Sequence, residues 1–141
     1  MSALKIEYTE NLSSDVDNKM SVGHKKYETE NGININFKNL AFVLSDEKSE
    51  VFGVLKAYTA FAEVYVEDLW VDESLRRQGY GKQLLQALEN HFKDKGYNNI
   101  NLITNEFQAP AFYEKCGYEV EFIRVNKFNN KLTKTFFIKY F

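Results

Sequence analysis

Residues 67 to 82 read Glu67-Asp68-Leu69-Trp70-Val71-Asp72-Glu73-Ser74-Leu75-Arg76-Arg77-Gln78-Gly79-Tyr80-Gly81-Lys82, and the fold turns on this stretch. An apolar strand-like run leads into a glycine-bearing turn. The turn opens a helix on which Leu84, Leu85, Leu88 and Phe92 share one face at helical spacing. The first amide N–H groups of a helix lack intrahelical partners. Here Arg77, Gln78, Gly79, Tyr80 and Gly81 occupy that position, at the positive end of the helix dipole, where an anion can be held. Gly79 and Gly81 carry no Cβ to keep a phosphate off the backbone, and Arg76, Arg77 and Lys82 add positive charge. The same residues would also serve as an ordinary turn before a solvated, basic helix start.

Upstream, Ala62 to Val71 is the third of three β-like runs. The first, Leu40 to Leu44, is compact and apolar. The second, Val51 to Tyr58, contains Gly53 as a bulge or close-approach point. Short connections, with Asp46-Glu47-Lys48-Ser49 as a hairpin loop, predict an antiparallel meander. Further upstream, Leu12, Val16, Met20 and Tyr27 favour a helical stripe capped by Ser13 or Ser14. Gly23 leaves one helix or two open, and Asn31-Gly32 supplies a stop. The alternation in Leu4-Lys5-Ile6-Glu7-Tyr8 predicts a short strand.

Downstream, Lys95 and Gly96 read as the basic last turn and terminating residue of the long helix. Asn99 to Ile103 follows as a strand, then a short helix from Ala109 to Lys115 ended by Gly117. Two final β-like runs, Tyr118 to Asn126 and Leu132 to Phe141, flank a turn at Phe128-Asn129-Asn130-Lys131. Without repeats or linkers, residues 1–141 read as one domain.

The 141 residues are 44% hydrophobic and 27% charged, a globular composition. Eighteen Lys and Arg against 20 Asp and Glu give a net charge of −2, without the basic surplus of a nucleic-acid binder. Cys116 is the single cysteine, so neither an internal disulfide nor a cysteine-rich zinc site is expected. No run of about 18 apolar residues suggests a membrane span. The expectation is a cytoplasmic protein with no metal, nucleic-acid or membrane partner.

The turn lacks the Walker spacing and the third glycine of a dinucleotide fingerprint. Its Arg-x-x-Gly-x-Gly, at Arg76, Gly79 and Gly81, resembles instead the pyrophosphate motif of the GNAT superfamily of acetyl-CoA-dependent N-acetyltransferases. The likeness extends to Val66-Glu67-Asp68-Leu69-Trp70-Val71, which resembles that family's central strand. It extends also to Ala109-Pro110-Ala111-Phe112-Tyr113-Glu114-Lys115-Cys116-Gly117-Tyr118, which resembles its A-x-x-[FY]-Y-E-K-x-G-[FY] helix. The resemblance implies a mixed α/β fold: a mostly antiparallel central sheet with one splayed parallel strand pair, and helices on both faces. It also implies acetyl-CoA as co-substrate, with its pantetheine arm against Leu69, Trp70 and Val71 and its pyrophosphate on the amides from Arg77 to Lys82. Asn105 is the residue implied near the arm or the acetyl region. The family's usual Asn falls at Glu106 here, one place later.

Acetyl transfer to an amine needs a proton acceptor and a stabilised thiolate leaving group. Tyr113 matches the family's general acid; otherwise it is a core tyrosine. Glu67 and Asp68 are the candidate bases, with Glu63 a third. The Glu-Asp pair resembles the same place in spermidine/spermine-type and related small-amine acetyltransferases, where the first carboxylate serves as base or as a water-relay partner, leaving Asp68 to the substrate. Strand alternation puts Glu67 on Leu69's face and Asp68 on Trp70's, unless a bulge intervenes.

Cys116 reads as a structural residue, His91 as partly exposed, and His24 as a surface histidine. Trp70 and the other aromatics are expected to build the core, while Tyr27, Tyr58 or Phe61 could wall an acceptor pocket and attract a cationic amine. The implied activity is transfer from acetyl-CoA to a primary amine, in all expectation of a small molecule. The alternative is a non-catalytic acyl-CoA sensor or a protein-interaction module. The aromatic C-terminal run from Thr135 to Phe141 either finishes the core or contributes to a homodimer contact.

Overall fold

The computed structural model describes residues 3–108 and 110–141, which divide into two compact units, one ending at Ile35 and the other spanning Asn36–Phe141. The first unit contains helix α1, Ser14–Glu30. Ser13 caps it by accepting from the Val16 amide at 3.3 Å, and the helix runs through Gly23 without a break. It ends at Asn31, with Gly32 in the left-handed region at φ 67°. The strand expected at Leu4–Tyr8 does not form: these residues carry no secondary structure. Alternation alone makes no strand, because a strand is completed by a partner's backbone, and the sheet contains no strand from this segment.

The second unit is a six-stranded sheet in the order β1-β2-β3-β4-β6-β5. β1 (Lys38–Ser45), β2 (Val51–Ala60) and β3 (Glu63–Val71) form the expected antiparallel meander. The β2–β3 turn has both Phe61 and Ala62 in the left-handed region, which matches the strand twist in a two-residue hairpin. Helix α2 (Tyr80–Phe92) then crosses over to β4 (Asn99–Asn105), parallel to β3. Helix α3 (Ala111–Lys115) precedes β5 (Glu119–Arg124), and β6 (Lys134–Tyr140) inserts between β4 and β5, antiparallel to both. Ala109, the first residue of the helix expected at 109–115, lies outside the described residues.

The helical stripe faces the sheet: Leu84, Leu85, Leu88 and Phe92 are all buried. They join Leu55, Val64, Val66, Ile100, Leu102 and Phe137 in one core, each buried aliphatic contributing roughly 1.5–3 kcal/mol. The helix closes at Phe92, a turn before Lys95 and Gly96. Gly53 is a close-approach point: a Cβ there would lie 3.2 Å from the Trp70 carbonyl and 3.3 Å from Leu84 Cδ1. This lets β2 lie close beside β3 while α2 packs over it. No helix among the described residues is long and apolar enough to cross a membrane.

Trp70 corrects one expectation. It is 41% exposed and not in the core, because it pairs with Val54 on the sheet face opposite the buried Leu55. Phe61, Phe107, Phe122 and Phe128 are likewise exposed, leaving Phe92, Tyr118 and Phe137 as the buried aromatics.

Candidate active site

The site is built where two parallel strands part. β3 and β4 pair from Glu63↔Asn99 through Val66↔Leu102 and no further, although both strands continue. The cause lies on the other side of β3. Lys56 faces Asp68 while Ala57 faces Val66, so Glu67 is an extra residue in a bulge. A bulge bends its strand, and β3 leaves β4 at that point. Leu69, Trp70 and Val71 consequently present a strand edge that β4 does not occupy.

Beside the gap lies the turn before α2. Asp72 accepts from the Ser74 amide at 3.0 Å, and Arg76 Nε donates to the Val71 carbonyl at 3.1 Å. The Ser74 hydrogen bonds hold the Asp72 carboxyl below the usual range. Arg77 and Gly79 both take positive φ, 63° and 86°, so the chain coils tightly into the helix. The first helical bond is from Gln83 N to Gly79 O, and Gly79 provides no side-chain cap. The amides of Tyr80, Gly81 and Lys82 therefore precede the helical ladder with the dipole behind them. Gly79 is needed for its conformation, since nothing lies within 4 Å of a Cβ there. Gly81 is needed for packing, since its Cβ would lie 3.0 Å from Phe112 Cζ.

A cavity of about 100 Å³ fills the gap, lined among others by Glu67, Asp68, Leu69, Thr104, Gln108 and Tyr113. Tyr113 comes from α3, held by ring contacts with Phe112 at 5.1 Å and Phe137 at 5.6 Å. Burial pushes its phenol up to about 12, and the Asp68 charge adds to the shift. At neutral pH it is a hydrogen-bond donor.

Residues 8–118 match the acetyltransferase (GNAT) family. The chain belongs to that family. A blasticidin-S acetyltransferase of Streptomyces morookaense is 32% identical over 75 residues, covering 52% of this chain and 55% of the relative. The chain thus spans about half the length of that curated relative. A solved acetyltransferase from Bacillus cereus ATCC 14579 superposes with a TM-score of 0.79 at 29% identity, covering 96% of this chain and 98% of the other. A Bacillus anthracis acetyltransferase solved with acetyl coenzyme A matches at a TM-score of 0.65 and 22% identity, covering 79% and 67%.

Within this GNAT fold, the expected residues fall into two groups. Glu67, Asp68, Leu69 and Tyr113 line one cavity, and Arg76 to Lys82 form the adjoining turn. The bulge corrects the expected facing of Glu67. Its carboxylate lies 3.9 Å from Lys56 Nζ, and Lys56 pairs with Asp68, so both carboxylates share the face opposite Leu69. Glu63 is fully engaged: its carboxylate accepts from the Tyr65 hydroxyl and from Asn99 Nδ2. Asn105 is turned to Gln108, whose Oε1 accepts from its amide at 3.0 Å and its Nδ2 at 3.1 Å. Gln108 itself reaches the cavity, as does the buried Thr104. Sequence reading missed both, since neither residue type announces a site; only the end of β4 pointing at the gap could have singled them out.

Cys116 is a half-buried free thiol packed against the core. Burial pushes its thiol up, against the lowering charges of Lys82 and Lys139. His91 is exposed, edge-on to Phe92. Among the described residues no cluster of His, Cys, Asp and Glu has the makings of a metal site.

Proposed function

We propose that residues 1–141 act as one N-acetyltransferase domain that moves the acetyl group of acetyl-CoA directly to a primary amine of a small molecule. The observation that carries this reading is the parting of β3 from β4 after Val66 and Leu102, beside the uncapped start of α2. The family match supports the single domain, because it runs across the boundary at Ile35. The Bacillus anthracis relative, solved with acetyl coenzyme A, supports the donor.

The residues present fit such a donor. The free edge of Leu69, Trp70 and Val71 would pair with an extended amide-bearing arm, as an added strand does. The amides of Tyr80, Gly81 and Lys82, with Arg76, Arg77, Gln78 and Gly79 around them, would hold its diphosphate. Bound there, acetyl-CoA supplies an activated thioester.

The rest of the chemistry falls to side chains. Glu67 accepts the proton an ammonium must lose before its nitrogen can attack. Asp68, on the same face, orients the amine by charge. As the new C–N bond forms and the C–S bond breaks, negative charge collects on sulfur. The Tyr113 hydroxyl, kept protonated by burial, donates to it.

The test is release of thiol from acetyl-CoA across a panel of amines. Amine-dependent release is expected. Tight acetyl-CoA binding with no turnover by any amine would overturn the reading in favour of a sensor.

A further inference from the structure

A second cavity, about 280 Å³ in volume, adjoins the transfer cavity and shares Val66, Glu67, Leu102 and Ile103 with it. Its distinctive residues are Tyr58, Tyr65 and Asn101. The two tyrosine rings stack at 4.8 Å with planes 15° apart, and Phe37 extends the row at 5.8 Å from Tyr58.

Beneath this platform runs a hydrogen-bond chain with a fixed direction. Glu63 opposes Asn99 and Tyr65 opposes Asn101 across the paired part of β3 and β4. The Glu63 carboxylate can only accept, so it orients everything attached to it. Asn99, 1% exposed, donates its Nδ2 to Glu63 at 2.9 Å, which leaves Asn99 Oδ1 to accept from Asn101 Nδ2 at 2.8 Å. The Tyr65 hydroxyl also donates a hydrogen bond to Glu63. That bond, followed by burial, pushes the phenol up to about 12, so the proton stays.

Donors are thus drawn inward to Glu63, and the acceptors left on the cavity lining are the Tyr65 oxygen, Asn101 Oδ1 and the Glu67 carboxylate, beside two aromatic faces; the Tyr58 hydroxyl and the second Nδ2 proton of Asn101 stay as neutral donors. The one charged group on this lining is the Glu67 carboxylate, so with the aromatic faces it favours a cation over a phosphate or a carboxylate. Lys56 is the cation near its edge, 3.9 Å from Glu67 on an exposed side chain, too loose and too solvated to fill the role.

We infer that this second cavity selects acceptors carrying a second ammonium group, with Tyr58, Tyr65 and Asn101 as the specificity residues. The inference rests on the acetyl-transfer reading: one amine enters the gap near Tyr113 while the other sits on the Tyr58–Tyr65 platform, with Glu67 between them. The acceptor class is therefore diamines, polyamines and amino sugars with at least two basic nitrogens, rather than phosphorylated or carboxylated amines.

The test measures kcat/KM for putrescine, n-butylamine and γ-aminobutyrate, which share a four-carbon chain and differ in what its far end carries. Putrescine should exceed n-butylamine by about tenfold, the scale of one charge-assisted hydrogen bond, with γ-aminobutyrate lowest. Tyr65→Phe keeps the ring and removes the oxygen; Asn101→Leu removes the amide. Each should close the putrescine-to-butylamine ratio, chiefly through KM for putrescine, with the acetyl-CoA thermal shift verifying that the variant is folded. Tyr65→Phe, the milder change, decides the matter if Asn101→Leu fails to fold. Equal use of putrescine and butylamine, or a ratio that survives in folded Tyr65→Phe, overturns this inference and leaves acetyl transfer standing. Absence of turnover with every amine overturns both.

Discussion

The two halves of β3 belong to one continuous strand yet do different work. From Glu63 to Val66 it is paired on both sides, and Val64 and Val66 are buried in the core. From Asp68 to Val71 it keeps its β2 partners but loses β4, and from Glu67 onward its side chains become exposed or half-buried. One residue, the bulged Glu67, marks the change. The first half spends its backbone polar groups on the sheet; the second leaves an edge available to something else. Stability should concentrate in the first half and function in the second, and each half can be broken separately.

The largest effect is expected at the splayed half. Tyr113→Phe should lower kcat by about 100-fold, at the low end for a positioned acid, with acetyl-CoA affinity little altered. Wild-type turnover would remove the assigned role. In the paired half, Val64→Ala should destabilise the fold by about 2 kcal/mol through the cavity it leaves, measured by urea unfolding, while kcat per folded molecule holds. An equal loss of both would erase the distinction. Gly81→Val joins the two regions, because its side chain must displace Phe112, the neighbour of Tyr113. We expect acetyl-CoA binding weakened by about tenfold and a lower Tm, as overpacking usually costs. Unchanged affinity in the folded variant would contradict the placement of the diphosphate.

The tyrosines give a pH test. Tyr65 and Tyr113 are raised from the ordinary 10 to about 12, the first by its bond to Glu63 and the second by burial. Burial raises Tyr118 as well. The unfolded chain loses these protons first, so the stability they contribute is intact below pH 10 and is lost as pH climbs toward 12. Tm should fall steeply over that window, and kcat should show no descending limb from Tyr113 below it. The smallest effect is expected of Lys56→Ala, which breaks the exposed pair with Glu67 and should change stability by less than about 0.5 kcal/mol.

The sequence carried the meander, the α2 stripe and the Arg76–Gly81 turn, because each is a local pattern: alternation, a 3.6-residue period, a glycine spacing. Motif context also points to Tyr113 and the Glu67–Asp68 pair, which the fold brings to one cavity. What the sequence hid depends on long-range pairing. The facing of Glu67 follows from a bulge visible only against β2, and the commitment of Glu63 follows from Asn99, 36 residues away. Thr104 and Gln108 reach the cavity because β4 ends at the gap. Leu4–Tyr8 misled for the converse reason: its alternation is real, but no strand pairs with it. Trp70 misled because residue type suggests burial while strand register decides it.

The most direct test of the splay as the donor site is an amide chemical-shift titration of the protein with acetyl-CoA. We expect the largest shifts at two separate stretches, Leu69–Val71 and Tyr80–Lys82, with the paired residues Glu63–Val66 shifting far less. Shifts that spare both stretches, or that fall mainly on Glu63–Val66, would contradict it.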